Sequence, residues 1–223
     1  MTIIAIDGVS ATGKGTLAQR LAQHFNFAFL DTGALYRTVG YRMHHMGLDI
    51  HNENQAVHMV NTLPMQDITV LQASPSIRTE EVGGFASVVA AMPRVRQALL
   101  DVQRQFATHP VDADGTPLKG AVLDGRDIGT VICPDADFKL FLTADTKIRA
   151  ERRLKELQSR GKNVILQDVL EEMKERDKRD IARKVAPTVP AKDAYILDTT
   201  SLTPDEVFAQ ALAFIEQEQK SPR

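Results

Sequence analysis

Short apolar runs alternate along the chain with longer segments in which apolar residues recur at helical spacing. A run of this kind predicts a strand that is buried on both faces, while the spacing in residues 17–25 predicts a helix. Buried strands separated by helices are typical of a parallel sheet that is covered on both sides. The pattern predicts a doubly wound α/β fold with five strands, at residues 3–6, 27–30, 121–123, 138–142 and 194–197.

This alternation is interrupted twice. The interval between the second and third predicted strands is too long for an ordinary crossover, and we predict that residues 49–120 form an inserted lobe. Its patterns predict helices at 55–63, 79–91 and 93–107 and a strand at 67–71. Residues 145–186 are charged and helical, which predicts a short arginine-rich lid. The core then comprises residues 1–48, 121–144 and 187–223.

The composition is that of an ordinary folded protein and limits the kinds of ligand. Of the 223 residues, 43% are hydrophobic and 25% are charged, and the formal net charge is −2. A protein with this charge lacks the broad cationic surface that binds nucleic acid non-specifically. We therefore expect no nucleic-acid partner, and we expect any anionic ligand to be held by a local group of arginines.

The sequence also bears on the cellular compartment. Cys133 is the single cysteine, so an internal disulfide is impossible, as is typical of a reducing compartment. The first apolar run ends at Asp7, which is too early for a signal peptide. No stretch approaches the roughly 18 apolar residues that span a bilayer. We expect a cytoplasmic protein without a membrane partner, and a monomer.

A glycine-rich segment directly follows the first predicted strand and opens the first predicted helix. This is the context that a Walker A phosphate-binding loop requires. Its glycines let backbone N–H groups turn towards a phosphate, and the helix N-terminus and a lysine add favourable charge. We predict that ATP binds to Gly8, Val9, Ser10, Ala11, Thr12, Gly13, Lys14, Gly15 and Thr16. The fold class is then a P-loop NTPase-type five-stranded parallel sheet with helices on both faces, an inserted lobe and a lid.

The end of this loop departs from the strict Walker A pattern. Lys14 is followed by Gly15 and only then by Thr16, whereas the strict pattern has a hydroxyl residue directly after the lysine. The ending GKGT resembles that of nucleoside monophosphate kinases, which implies that the Thr16 hydroxyl lies near the metal ion. A chance glycine-rich turn is the alternative interpretation.

Polar residues follow the second predicted strand. Thr32, Tyr36 and Arg37 lie where that strand ends and a helix begins, and ligands of open parallel sheets bind beyond the carboxyl ends of the strands. The ring of Tyr36 could stack on a base or sugar, and Arg37 could hold a phosphate through two hydrogen bonds. The alternative is a plain turn with a surface arginine.

Charged residues follow the third predicted strand in the same way. Asp124 at the end of an apolar strand is the Walker B arrangement, which places a carboxylate near Mg²⁺, often through water. Arg126 could again contact a phosphate, and Asp127 could accept a hydrogen bond from an exocyclic amine. The alternative is a simple acidic turn.

Two arginine-rich helical segments meet near Gly161. In the second, Arg176, Asp180 and Arg183 are spaced i, i+4 and i+7, so they share one face of the helix. Such a face is usually solvated and held by its own ion pairs. The first segment, however, adds further arginines, which favours a hinged flap that closes over a polyphosphate: Arg149, Arg152 and Arg153.

Taken in order, five motifs closely resemble those of the bacterial-type cytidylate kinases: GVSATGKGT, DTGALYR, SVVAAMPRVR, DGRDIGTVICPDADFK and KERDKRDIAR. The resemblance covers nearly the whole chain, and the last three motifs are specific to that family among the monophosphate kinases. It implies a core, a monophosphate-binding insert and a short lid, with ATP and CMP or dCMP as substrates. The insert looks short around residues 74–77, which leaves the shape of that lobe open.

The resemblance also implies roles for individual residues. Ser87, Arg96 and Asp127 would recognise the edge of cytosine, and Thr32, which stands where the family commonly has serine, and Tyr36 would line the same pocket. Arg37 and Arg126 would hold the CMP phosphate. The lid would reach the sugar and the phosphate through Arg176, Asp180 and Arg183.

The expected mechanism needs no general base, because the second pKa of a phosphate is about 6 and the acceptor oxygen is already ionised near neutral pH. Catalysis is then positioning and charge stabilisation. We expect Lys14 with Mg²⁺, held by Thr16 and Asp124, to bind the donor, and Arg37 and Arg126 the acceptor. We expect Arg152, Arg153 and Arg176 to stabilise the negative charge that develops during the transfer. The alternatives are a kinase for UMP or another small acceptor, and a P-loop regulatory ATPase.

Overall fold

The computed structural model describes residues 1–64, 72, 74–112, 114–182 and 186–220. Its five strands form one sheet in the order β2-β3-β1-β4-β5, and every neighbouring pair is parallel. The predicted fold class is thereby confirmed, and every strand end lies within two residues of its predicted position. The strands are β1 (Thr2–Gly8), β2 (Ala28–Asp31), β3 (Gly120–Asp124), β4 (Phe138–Thr143) and β5 (Tyr195–Asp198).

The helices follow the predicted spacing closely. They are α1 (Lys14–Phe25), α2 (Thr32–His45), α3 (Glu53–Asn61), α4 (Glu80–Ala90), α5 (Pro93–Thr108), α6 (Thr146–Ser159), α7 (Leu166–Ile181) and α8 (Pro204–Lys220). A 3₁₀ turn covers Pro75–Arg78 and a π-helical turn covers Ile128–Ile132. The strand predicted at 67–71 lies outside the described residues.

Helices cover both faces of the sheet because successive residues of a strand point to opposite sides. On one face Ile4 and Ile6 of β1 pack with α1 and α8, and on the other Ala5 packs with α2, α3 and α5. The cluster around Ala5 joins helices from residues 49–120 to sheet residues such as Leu123. The division into core, insert and lid stays a prediction.

Residues with polar side chains begin several of these helices. Asp31 accepts a hydrogen bond from the Ala34 N–H at the start of α2, and Thr79 accepts one from Val82 N–H at the start of α4. Asp145 accepts from two amides at the start of α6. These caps satisfy N–H groups that the helix itself leaves free, and so they fix where each helix leaves the sheet.

Helices α6 and α7 form a hairpin with a small apolar cluster of its own. Leu157, Val169 and Met173 are buried in it, and Ala11 of the glycine-rich loop packs against the same cluster. The turn between the helices contains Gly161, whose φ of +75° is in the left-handed region. The predicted lid is therefore in contact with the loop. None of the described helices is both long and apolar enough to span a membrane.

Candidate active site

The glycine-rich loop joins β1 to α1 at the carboxyl end of the sheet. Gly8 has φ +138°, and a Cβ atom there would lie 2.0 Å from the Leu142 carbonyl oxygen of β4. Gly13 has φ +92° and is the N-cap of α1. Both positions favour glycine because their φ angles are positive. Gly8 also needs glycine because β4 passes so close to it. The sequence thus folds into a loop whose N–H groups can surround an anion.

Lys14 is buried beside this loop. Its ammonium group donates a 2.7 Å hydrogen bond to the Val9 carbonyl oxygen, and 5% of the residue is exposed. Burial lowers the pKa of Lys14, the nearby Arg126 lowers it further, and the Asp124 carboxylate acts in the opposite direction. The lowered pKa means that the surroundings of Lys14 disfavour its charged ammonium form. The negative charge of a bound polyphosphate would stabilise that form.

A cavity of about 800 Å³ lies in front of the loop. Its lining brings together residues from the loop, the ends of β2 and β3 and the lid, which are far apart in the sequence. Five of the six residues predicted to be catalytic line it, together with the loop residues Ser10, Ala11, Gly13, Gly15 and Thr16: Lys14, Arg37, Arg126, Arg153 and Arg176. A cavity with this many cations is suited to a polyphosphate.

The arginines around the cavity are held by other parts of the chain. Arg37 donates to the Ile77 and Thr79 carbonyl oxygens at 3.1 and 3.3 Å. Burial lowers the pKa of Arg37, and the neighbouring Asp31 acts against this effect. Arg126 contacts the buried Asp180 of α7, with 3.3 Å between Nε and Oδ2. The guanidinium groups are therefore fixed before any ligand binds, which reduces the ordering cost of binding one.

Asp124 ends β3 next to the loop and is buried. Burial raises the pKa of its carboxyl group, against the effect of Lys14. Its Oδ1 atom has no hydrogen-bond partner among the residues that the structure describes. A Cβ on Gly15 would lie 3.3 Å from Oδ2, so glycine there keeps the loop close to this carboxylate. An unpaired carboxylate oxygen beside a phosphate loop fits a bound Mg²⁺.

A second cavity, of about 470 Å³, opens on the other side of Arg37 and Arg126. All but one of the residues predicted to bind CMP line it: Thr32, Tyr36, Arg37, Ser87, Arg96, Arg126, Asp127, Arg176 and Asp180. The remaining one, Arg183, lies outside the described residues. The structure thus assembles one pocket from residues of five elements or their ends.

An ion pair crosses this second cavity. The Arg96 Nη2 atom lies 2.7 Å from Asp127 Oδ2, and 15% and 11% of the two side chains are exposed. The guanidinium of Arg96 also lies 5.8 Å from the centre of the Tyr36 ring. Ser87 donates to the Gly83 carbonyl oxygen at 3.0 Å, and Thr32 donates to that of Asp124 at 2.8 Å. The pocket therefore offers an aromatic face, a carboxylate, a guanidinium group and two oriented hydroxyl oxygens side by side.

Arg152 does not point into the large cavity. Its guanidinium donates to the Thr199 hydroxyl at 3.1 Å and to nearby carbonyl oxygens after β5. It lines a smaller, mostly apolar cavity of about 120 Å³ on the outer side of the loop, together with Leu17 and Leu202. In this arrangement Arg152 lies away from the cations that meet in front of Lys14.

Two residues beside the site were not among the predicted catalytic or binding residues, although Arg149 was one of the arginines of the predicted lid. Arg149 is 3% exposed, donates to the Ser10 carbonyl oxygen at 3.3 Å and pairs with Asp177 of α7 at 2.7 Å. It links the loop to the lid.

Asp7 accepts hydrogen bonds from the Ile128 and Gly129 amides. A charged residue within an otherwise apolar strand was the available signal for Asp7.

A phosphate loop that faces an arginine-lined pocket across the carboxyl edge of a five-stranded parallel sheet defines a P-loop kinase. The particular family follows from comparison with known proteins, in which the family model for cytidylate kinase matches residues 4–217. The chain therefore belongs to the cytidylate kinase family.

Individual relatives agree with this assignment. A cytidylate kinase of Paramagnetospirillum magneticum is 52% identical over 214 residues, which are 96% of this chain and 97% of the relative. One of Rhodospirillum rubrum is 50% identical over 210 residues, or 94% of this chain and 95% of the relative. A solved gluconokinase from Sinorhizobium meliloti 1021 gives a TM-score of 0.47 at 15% identity, covering 97% of this chain and 92% of the other. That distant likeness adds nothing on the reaction.

Proposed function

We propose that this kinase transfers the γ-phosphoryl group of ATP to the phosphate of CMP, giving CDP and ADP, and that it also accepts dCMP. The observation that carries the proposal is the sharing of Arg37, Arg126 and Arg176 by the two cavities. Phosphates bound in the two cavities would meet at these three guanidinium groups. Family membership supports the same pair of substrates.

The donor would bind at the glycine-rich loop. Backbone N–H groups and Lys14 would hold the β- and γ-phosphates in the larger cavity. The small apolar cavity beside Leu17 and Arg152 would take the flat purine ring, because it adjoins the same loop on its outer side. Arg152 would then contact the base, whereas Arg153 and Arg176 remain near the transferred group.

We further propose that Mg²⁺ accompanies ATP and is held near Asp124 and Thr16. Two observations support this: Asp124 Oδ1 has no hydrogen-bond partner in the described part of the chain, and Thr16 and Asp124 line the same cavity. When bound, the ion neutralises charge on the phosphate oxygens. The chain itself supplies the in-line arrangement, since Lys14 and the guanidinium groups approach the reacting phosphates from several elements.

The acceptor pocket suits cytosine more than uracil. Asp127 is a carboxylate and only accepts hydrogen bonds when ionised, so it would accept from the N4 amino group of cytosine. Arg96 would donate to the neighbouring acceptors of the same edge. Uracil presents a carbonyl oxygen where cytosine has its amino group, and that oxygen would face the carboxylate of Asp127. The mismatch leaves polar groups unpaired, which is the strongest basis for rejecting an analogue.

The closed lid would exclude water from the transfer. Ala11 packs against the α6–α7 hairpin, and Arg160 at the end of α6 donates to the Arg78 carbonyl oxygen at 3.2 Å. The hairpin thus contacts both the phosphate loop and the turn that precedes α4. Water competes with CMP as a phosphoryl acceptor, so a lid that reaches across both cavities favours the kinase reaction over hydrolysis.

A coupled ADP-release assay with ATP and a panel of monophosphates tests this function. We expect kcat/KM for CMP to exceed that for UMP by at least about a hundredfold, because of the unpaired groups described for uracil. The kcat/KM for dCMP should be closer to that for CMP than the kcat/KM for UMP is. A preference for UMP, or ADP release that is independent of any monophosphate, would contradict the proposal and would favour the UMP kinase or the regulatory ATPase.

A further inference from the structure

The carboxylate of Asp7 binds backbone amides of another element from within the sheet. Asp7 lies in β1 and is 4% exposed. Its Oδ1 accepts from the Ile128 N–H at 2.8 Å and its Oδ2 from the Gly129 N–H at 2.7 Å. These amides begin the π-helical turn Ile128–Ile132. Both oxygens of one buried carboxylate are therefore used to hold the start of this turn.

The turn follows directly on the residues that shape the acceptor pocket. Arg126 and Asp127 come immediately before Ile128, in the segment that leaves β3. The far end of the turn is held from α5, where Arg104 donates to the Val131 and Ile132 carbonyl oxygens, both at 3.0 Å. The segment is thus anchored at one end by β1 and at the other by α5.

Gly129 packs closely against Lys139 and Asp7. A Cβ atom there would lie 3.2 Å from Cδ of Lys139 and 3.5 Å from Oδ2 of Asp7. The Lys139 stem would have to shift by a few tenths of an ångström to admit a side chain, whereas the contact with Asp7 would be an ordinary one. A neutral apolar residue in place of Asp7 would leave two buried N–H groups without their acceptor.

We propose that Asp7 is a positioning residue for the acceptor pocket, which holds Arg126 and Asp127 in place through the Ile128 and Gly129 amides. The inference rests on the proposed function of that pocket. Asp7 lies in neither the 800 Å³ nor the 470 Å³ cavity of the described structure, so it acts through the turn and does not touch substrate.

The variant Asp7→Asn tests this proposal through the two Michaelis constants. Asparagine keeps one acceptor oxygen but turns an NH₂ group towards the second amide, so one of the two hydrogen bonds is lost. We expect KM for CMP to rise about tenfold, because Asp127 on the acceptor side loses its alignment. KM for ATP should stay within about twofold, because Lys14 and the loop backbone still hold the donor. An unchanged KM for CMP, or an equal rise in both constants, would overturn the proposal.

Asp137→Asn is the matched control. Its Oδ2 accepts from the Ile3 N–H at 2.9 Å, so the substitution also removes a carboxylate that binds an amide of β1, but at the opposite end of the strand. We expect both Michaelis constants of this variant to match those of the wild type. A rise in its KM for CMP equal to that of Asp7→Asn would show that any loosening of β1 has the same effect.

Amide hydrogen exchange of the wild type needs no variant and no substrate. If the carboxylate holds the turn, the Ile128 and Gly129 amides exchange as slowly as those of β1. Rapid exchange of both would overturn the proposal even if Asp7→Asn failed to fold. The proposed function and the anchoring role of Asp7 can be refuted independently. Wild-type enzyme that does not phosphorylate CMP would refute the proposed function, whereas slow exchange at these amides would still establish the anchor.

Discussion

Substituting Asp127 with asparagine removes a negative charge from the acceptor pocket and keeps the shape of the side chain. In the protein without CMP, this carboxylate lies 2.7 Å from Arg96, with little of either side chain exposed. Loss of the charge leaves Arg96 with a weaker, neutral acceptor, and we expect a loss of about 1–3 kcal/mol in stability. For a chain of this size that lowers Tm by about 2–4 °C per kcal/mol, which differential scanning calorimetry measures.

The same substitution should affect CMP and ATP very differently. A hydrogen bond to a charged group contributes about 1.5–3 kcal/mol, so KM for CMP should rise about 10- to 150-fold. The phosphate loop is fixed by Lys14 and its own backbone, and KM for ATP should change by less than about threefold. Steady-state kinetics with each substrate varied separately measures both constants. Equal rises in the two would refute the assignment of Asp127 to the cytosine edge.

A paired variant separates stability from recognition. Replacing both partners, as Arg96→Met with Asp127→Leu, leaves no unpaired charge, and such replacements are often neutral or stabilising. We expect Tm to return to within a few degrees of the wild type while KM for CMP remains high. Recovery of the wild-type KM for CMP in this double variant would show that the pair supports the fold and takes no part in recognition.

Three further outcomes are expected. Lys14→Met should abolish turnover because the donor phosphates lose their buried charge, while calorimetry still detects CMP binding; loss of CMP binding as well would argue against separate donor and acceptor sites. Burial raises the pKa of Asp7 from 3.8 to about 6, with Asp127 adding to the effect and the Ile128 and Gly129 amides and Lys14 opposing it. The folded state therefore binds this proton more tightly than the unfolded state, so the Asp7 contribution to stability falls by about 3 kcal/mol as pH rises from about 4 to about 6. Urea unfolding across that range should show this change for the wild type relative to Asp7→Asn, and a constant difference would contradict it. Arg149→Met should lower kcat more than about tenfold by disconnecting the lid from the loop, and stopped-flow measurement of lid closure should slow in parallel; a normal kcat would refute the link.

Much of the fold could be predicted because burial on both faces leaves a strong pattern. Residues 138–142 are apolar apart from Lys139, and β4 (Phe138–Thr143) lies inside the sheet between β1 and β5. The ends of β2 and β3 could be placed together because parallel strands finish at the same edge, and Asp31 does pair in register with Asp124. That rule predicted that the segments around Arg37 and Arg126 lie in one site.

Other features depend on directions that the linear pattern did not resolve. Arg152 and Arg153 are adjacent, so their side chains leave α6 about 100° apart, and only one of them can face the large cavity. The structure turns Arg153 towards it and Arg152 towards Thr199. The buried position of Arg149 depends on its partner Asp177, which belongs to the next helix. Long-range pairs of this kind carry no local signal.

The charge of Asp7 in an apolar strand was a signal in the sequence, but the sequence did not indicate its hydrogen-bond partners. At the end of an apolar strand, an aspartate is equally compatible with a solvent-exposed turn and with an internal hydrogen bond. Only the packing of the segment after β3 against β1 brings the Ile128 and Gly129 amides to its carboxylate. The partners are more than a hundred residues away, and no helical or strand period relates them.

In the proposed reaction, one set of arginines binds a donor and an acceptor phosphate at the same time. A single-turnover experiment with γ-labelled ATP and excess CMP tests this arrangement, because it follows the transferred group itself. We expect the label to appear in CDP as fast as it leaves ATP, and ATP to be stable when CMP is absent. Release of the label as inorganic phosphate at the same rate with and without CMP would contradict it.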